Sequence, residues 1–116
     1  MKTPKLPEFV VIGPFKVFLR LVSHDLSYEV SEQQGSFHSK PPLTIVLDEN
    51  IMAMESETTF NLLVHELFHL CYYQYNLDKD KDEEVLVNAY ANFTTELLTR
   101  SNLKEYLTYL ITKKTH

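Results

Sequence analysis

The sequence predicts an α+β fold: a small N-terminal antiparallel sheet of about three strands, packed on a buried helix and followed by two further helices. Two observations predict it. The first half of the 116-residue chain carries short β-branched and aromatic runs bounded by Pro, Gly and acidic residues, and the second half switches to apolar spacings of three and four. At the changeover, Thr59 to Tyr75 runs without Pro or Gly, too long for a strand. The length suits one domain spanning 1–116, with no linker-like stretch dividing it.

Phe15 to Ser23, with Lys16 and Arg20 among β-branched and aromatic residues, reads as the first strand. Leu26 to Gln33 is ambiguous. Gln34-Gly35-Ser36 reads as a turn or bulge before Phe37-His38, and Pro41-Pro42 ends that segment. Leu43 to Leu47 is the clearest strand, closed by Asp48-Glu49-Asn50. Ser56 is placed to cap the following helix, with Glu57 at the positive end of its dipole. That helix is apolar nearly all round, as a central element is. A polar connection, Asn76 to Asp82, leads to a second helix from about Glu83 to Thr99, with Leu86, Ala89, Tyr90, Phe93 and Leu97 as its stripe. The last helix, about Asn102 to Lys113, repeats apolar residues at i, i+3, i+4, i+7 and i+8 from Leu103.

Composition narrows the function classes. With 44% hydrophobic and 23% charged residues the chain resembles an ordinary globular protein, and seven Tyr and seven Phe supply large side chains to bury. The net charge of −5, with basic residues scattered, gives no stripe for a run of phosphates, so no nucleic-acid partner is expected. No apolar run reaches membrane-spanning length and the first residues lack a secretory h-region, so a cytoplasmic protein without membrane partners is expected. A single cysteine, Cys71, agrees with a reducing compartment and reads as a small buried residue. His24 and His116 read as surface residues, and the Asp78-x-Asp80-x-Asp82 run as solvated charge, because Glu83 and Ala89 stand where a calcium loop needs Gly and Glu.

The chemistry concentrates in His65-Glu66-Leu67-Phe68-His69. Four helical residues advance about 400° and rise about 6 Å, so the two imidazoles share a face at a separation one metal ion bridges. Zinc takes nitrogen ligands in a tetrahedral array, and a third protein ligand plus water completes a catalytic site. Glu66, turned about 100° from His65, comes beside the water rather than onto the metal and can take its proton. Two histidines and a carboxylate on one apolar helix each need a partner if buried, which favours a metal over simple packing. Periodicity leaves both Glu83 and Glu84 open as third ligand. An oxyanion donor could come from Tyr72, Tyr73, Tyr75, Tyr90 or His38.

His65-Glu66-x-x-His69, followed by Glu84-x-x-Val87-Asn88-x-Tyr90-Ala91, resembles the gluzincin arrangement, in which a ligand Glu is followed four residues on by Asn or Asp. The resemblance implies Glu84 as third ligand and Asn88 as the residue accepting the other ring N–H of a ligand histidine. The fifteen-residue step from His69 to Glu84 is short for that family. From about Gly35 to Leu110 the order of elements is similar to the ImmA/IrrE-type metallopeptidases and to small phage- and prophage-encoded HExxH proteins. This chain departs from the larger members in lacking a helix-turn-helix module and in carrying Phe68 within the motif.

The resemblance implies zinc-dependent hydrolysis of a peptide or protein substrate, with Glu66 as general base, in the cytoplasm, or that of the host for a phage protein. It also implies that Thr44, Ile45, Val46 and Leu47 form the edge strand along which an extended substrate pairs. The rival reading is a regulatory or protein-binding module that keeps zinc as a structural or vestigial centre. The sequence leaves the oligomeric state open.

Overall fold

The computed structural model describes residues 3–23, 35–77 and 82–112. Within them the fold is α+β, with a four-stranded sheet on one side and four helices on the other. The strands are β1 (Phe9–Ile12), β2 (Phe15–Val22), β3 (Gly35–His38) and β4 (Thr44–Asp48). The helices are α1 (Glu49–Met54), α2 (Glu57–Gln74), α3 (Glu83–Thr99) and α4 (Lys104–Thr112). The segment Leu26 to Gln33, His24, His116 and most of the Asp78 to Asp82 run lie outside the described residues.

The sheet order is β1-β2-β4-β3, and it is mixed rather than antiparallel. β1 and β2 form a hairpin, β3 and β4 pair antiparallel, and β2 and β4 run parallel, with Leu19 opposite Ile45 and Leu21 opposite Leu47. Two expectations are thereby corrected. The sheet has four strands instead of three, because Phe9–Ile12 pairs with β2 across the tight Gly13-Pro14 turn, where Gly13 takes φ +56°. Thr44, Ile45, Val46 and Leu47 form an inner strand instead of an edge, because β2 occupies one side of β4 and β3 the other. Burial agrees: Ile45 and Leu47 are fully buried, and Thr44 and Val46 are half-buried on the other face.

Gly35 and Ser36 belong to β3 instead of a turn, which places β3 at one border of the sheet. At the opposite border the edge of β1 is sealed by a side chain. Val11 N–H donates to Asn102 Oδ1 at 2.9 Å, and Asn102 Nδ2 donates to the Phe9 carbonyl at 2.7 Å, so one amide imitates a neighbouring strand.

The apolar face of the sheet (Val10, Ile12, Val17, Ile45, Leu47) packs on α2 through Leu62, Leu63, Leu67, Leu70 and Cys71. Behind α2, Phe93 and Leu97 of α3 and Leu103, Tyr106 and Leu107 at α4 close the core. Cys71 is buried as expected, and burial pushes its thiol up to about 12, which leaves it a protonated packing residue.

The start of α2 is fixed from two sides. Ser56 is its N-cap, with its backbone N–H donating to Thr59 Oγ1, and Thr59 Oγ1 donates to the Ile51 carbonyl of α1 at 2.6 Å. The short α1 is begun by Asp48, whose carboxylate accepts from Asn50 N–H at 2.8 Å and Ile51 N–H at 3.3 Å. No helix among the described residues is long and apolar enough to cross a membrane.

Candidate metal centre and cleft

His65, Glu66 and His69 all lie on α2, two to three turns from its start. The helix that carries them is central, but its histidines are not buried: the His65 side chain is 60% exposed and His69 is exposed as well. The buried stripe runs through Leu62, Leu63, Leu67, Leu70 and Cys71, and the two histidines fall on the solvent-facing side. Burial therefore demands a partner for Glu66 alone, which corrects the polar-satisfaction argument for the pair of imidazoles. Their spacing passes a different test. Two imidazoles ligating one tetrahedral ion through nitrogens about 2.0–2.1 Å away carry ring centroids about 5 Å apart. The rings of His65 and His69 are 5.0 Å apart at an interplanar angle of 78°. Burial and the neighbouring His65 both hold His69 below the ordinary imidazole value, which favours the neutral form a metal needs.

Glu66 has the opposite surroundings. Its side chain is 3% exposed, one carboxylate oxygen lies 4.0 Å from His65 Nε2, and the buried Oε1 has no hydrogen-bond partner among the described residues. Burial pushes its carboxyl above the ordinary value, opposed by the charge of His65. An unpaired buried carboxylate oxygen costs on the order of 1–3 kcal/mol, which a bound ion, water or substrate would offset.

The close approach of β3 to Glu66 explains Gly35, which sequence reasoning missed as a site residue. Gly35 is buried, and a Cβ there would sit 2.9 Å from the Val46 carbonyl oxygen, 3.0 Å from Leu62 Cδ1 and 3.2 Å from Glu66 Cγ. Glycine is needed there for space, because the strand presses on the stem of Glu66. A glycine inside a strand-like run is the signal that could have found it.

Beside Glu66 and His69 a cavity of about 540 Å³ opens between the C-terminal half of α2 and β3, bordered by Ser36, Phe37, Ser39, Tyr72, Tyr73 and Asn76. Of the five residues considered as oxyanion donors, Tyr72 and Tyr73 border this cavity. His38 pairs with Ser36 Oγ at 2.9 Å, and Tyr90 packs on Phe68 with centroids 5.0 Å apart.

The residues expected from the second helix lie near its start. Glu83, Glu84 and Asn88 are all exposed in the first turns of α3, whose buried residues are Ala89, Phe93 and Leu97. Among the described residues, no three His, Cys, Asp or Glu side chains are gathered closely enough to hold a metal ion. The arrangement supplies two imidazoles at ligand spacing, a base-like carboxylate beside them and an adjoining cleft. No protein-family model, curated protein or solved structure matches the chain.

Proposed function

We propose that the chain is a zinc-dependent metallopeptidase-type domain of the gluzincin kind, similar to the ImmA/IrrE-type and small phage-encoded enzymes and acting on a peptide or protein in the cytoplasm. One observation carries the reading: two exposed imidazoles 5.0 Å apart beside a carboxylate that is 3% exposed and has an unpartnered oxygen, at the mouth of a cleft. His65 and His69 hold the ion, and the resemblance supplies Glu84 as third ligand and Asn88 as its supporting residue. When bound, zinc supplies Lewis acidity that polarises the scissile carbonyl and lowers the pKa of a water molecule. Glu66 takes the proton from the attacking water and returns it to the leaving amine, and its raised proton affinity suits it to both steps. The strand offered to an extended substrate is β3, Gly35–His38, in place of Thr44 to Leu47, because β3 borders both the sheet and the cleft.

Metal analysis paired with substitutions tests the reading. Purified protein is expected to carry near-stoichiometric zinc. Glu66→Gln should keep the zinc and lose hydrolysis, whereas His65→Ala and Glu84→Ala should lose zinc. Activity that survives Glu66→Gln removes Glu66 as the base, and zinc retained by Glu84→Ala moves the third ligand elsewhere.

A further inference from the structure

The cleft continues past the histidines. One turn beyond His69, Tyr72 and Tyr73 are 43% and 45% exposed, and both border the same cavity as Glu66 and His69. Large aromatic residues exposed side by side in a concavity cost hydration free energy and commonly mark a binding surface. Tyr73 is also held in place: its ring lies 6.0 Å from Phe15 and 5.8 Å from Phe37, so it is braced from the sheet while its other side remains open. A ring ordered in advance loses little freedom when a ligand stacks on it.

The remaining lining groups are Ser36, Ser39 and Asn76, which are neutral and polar, and among the described residues no Lys or Arg borders the cavity. An acidic side chain would find no Lys or Arg countercharge among them. A cation would meet an exposed tyrosine face, worth about 0.5–1 kcal/mol, with the buried Glu66 as the one carboxylate among the described lining residues. A neutral aromatic ring gains both stacking and apolar burial.

We infer that the subsite formed by Phe37, Tyr72 and Tyr73 selects an aromatic side chain of an extended peptide, making these tyrosines the specificity-determining residues of the cleft. The inference rests on the peptidase reading for the orientation of the peptide along β3. The segment Gly35–His38 supplies the backbone partner, and the aromatic wall reads one side chain next to it.

The test uses the full chain, metal-free and zinc-loaded in the Glu66→Gln form, titrated with acetyl-Ala-Ala-Xaa-Ala-Ala-amide peptides in which Xaa is Phe, Leu, Arg or Asp. Binding is followed by backbone amide chemical shifts. The Phe peptide is expected to shift residues of β3 and the C-terminal half of α2 and to bind roughly three- to tenfold more tightly than the Leu or Arg peptide, the range that aromatic pairing supplies, with Asp weakest. Tyr72→Leu/Tyr73→Leu, which keeps apolar contact with Phe15 and Phe37, should bring the Phe-to-Leu ratio within about twofold. Equal affinity for Phe and Leu, tighter binding of Arg, a preference that survives the double substitution, or shifts elsewhere on the protein would each overturn the inference. The two ideas separate cleanly. Aromatic preference on a chain that takes up no zinc sinks the peptidase reading alone, and zinc-dependent hydrolysis of Phe and Leu peptides at equal rates sinks the subsite alone.

Discussion

Within little more than one turn, α2 presents two opposite environments. His65 and His69 stand in solvent with their rings 5.0 Å apart, whereas Glu66, next in sequence to the first of them, is pressed under β3 with an unpartnered oxygen. The histidine side can be replaced at little cost to the fold, because exposed positions usually change stability by less than about 0.5 kcal/mol. The glutamate side is bound up with the core: Gly35 touches the Glu66 stem, and Leu62 and Leu67 lie on the same buried stripe. The proposed ligands and the proposed base are therefore separable by mutation.

The largest effect belongs to the proposed base. Glu66→Gln in the zinc-loaded protein should lower the hydrolysis rate by roughly 10²–10⁴-fold with zinc content unchanged, measured by peptide cleavage alongside metal analysis. Next comes the strand above it. Gly35→Ala forces a Cβ to 2.9 Å from the Val46 carbonyl oxygen, and overpacking of this kind costs roughly 1–3 kcal/mol, seen as a lower denaturation midpoint. Gly13→Ala, strained by its positive φ but meeting only the side-chain ends of Glu96 and Gln74, should cost less, about 1 kcal/mol.

A smaller effect carries a sign that distinguishes the two sides. The Glu66 carboxyl is raised in the folded state by burial, so its contribution to stability is fully present below the ordinary glutamate value and is lost as pH rises through the raised folded value. Metal-free Glu66→Gln removes that loss, and should be more stable than the unsubstituted protein by on the order of 1 kcal/mol at neutral pH, with the advantage vanishing in acid. His69 is lowered by burial and by His65, so its contribution is present above the ordinary histidine value and fades as pH falls. His69→Ala should therefore flatten stability on the acidic side of neutrality, read from thermal denaturation across pH. The smallest expected effect is at Glu83→Ala, an exposed residue outside the proposed ligand set, which should leave zinc content and stability unchanged.

The long elements were legible because their signals are redundant. α2 shows an N-cap at Ser56, an acidic first turn at Glu57 and no breaker through Gln74, and α3 begins at the expected Glu83 with Asp82 as its cap. β1 and α1 were missed because they are short. Yet Gly13-Pro14 marks the hairpin turn, and Asp48, which was read only as the end of a strand, is also the cap of the next helix. The mixed sheet could not be read from alternation alone, since pairing partners depend on the chain path. The nearly continuous apolar run Leu43 to Leu47 did carry the mark of an inner strand. At the site, helical spacing placed His65, Glu66 and His69 on one element with their mutual geometry. It did not give which side of α2 faces solvent, because the helix is apolar over most of its circumference and the burial direction is set by what packs on it.

The most direct test is the zinc content of the purified chain against that of His65→Ala/His69→Ala. Near-stoichiometric zinc is expected in the first and none in the second, with the metal-free midpoint of unfolding almost the same in both. Zinc absent from the unsubstituted protein, or retained after both histidines are removed, contradicts the proposed metal centre.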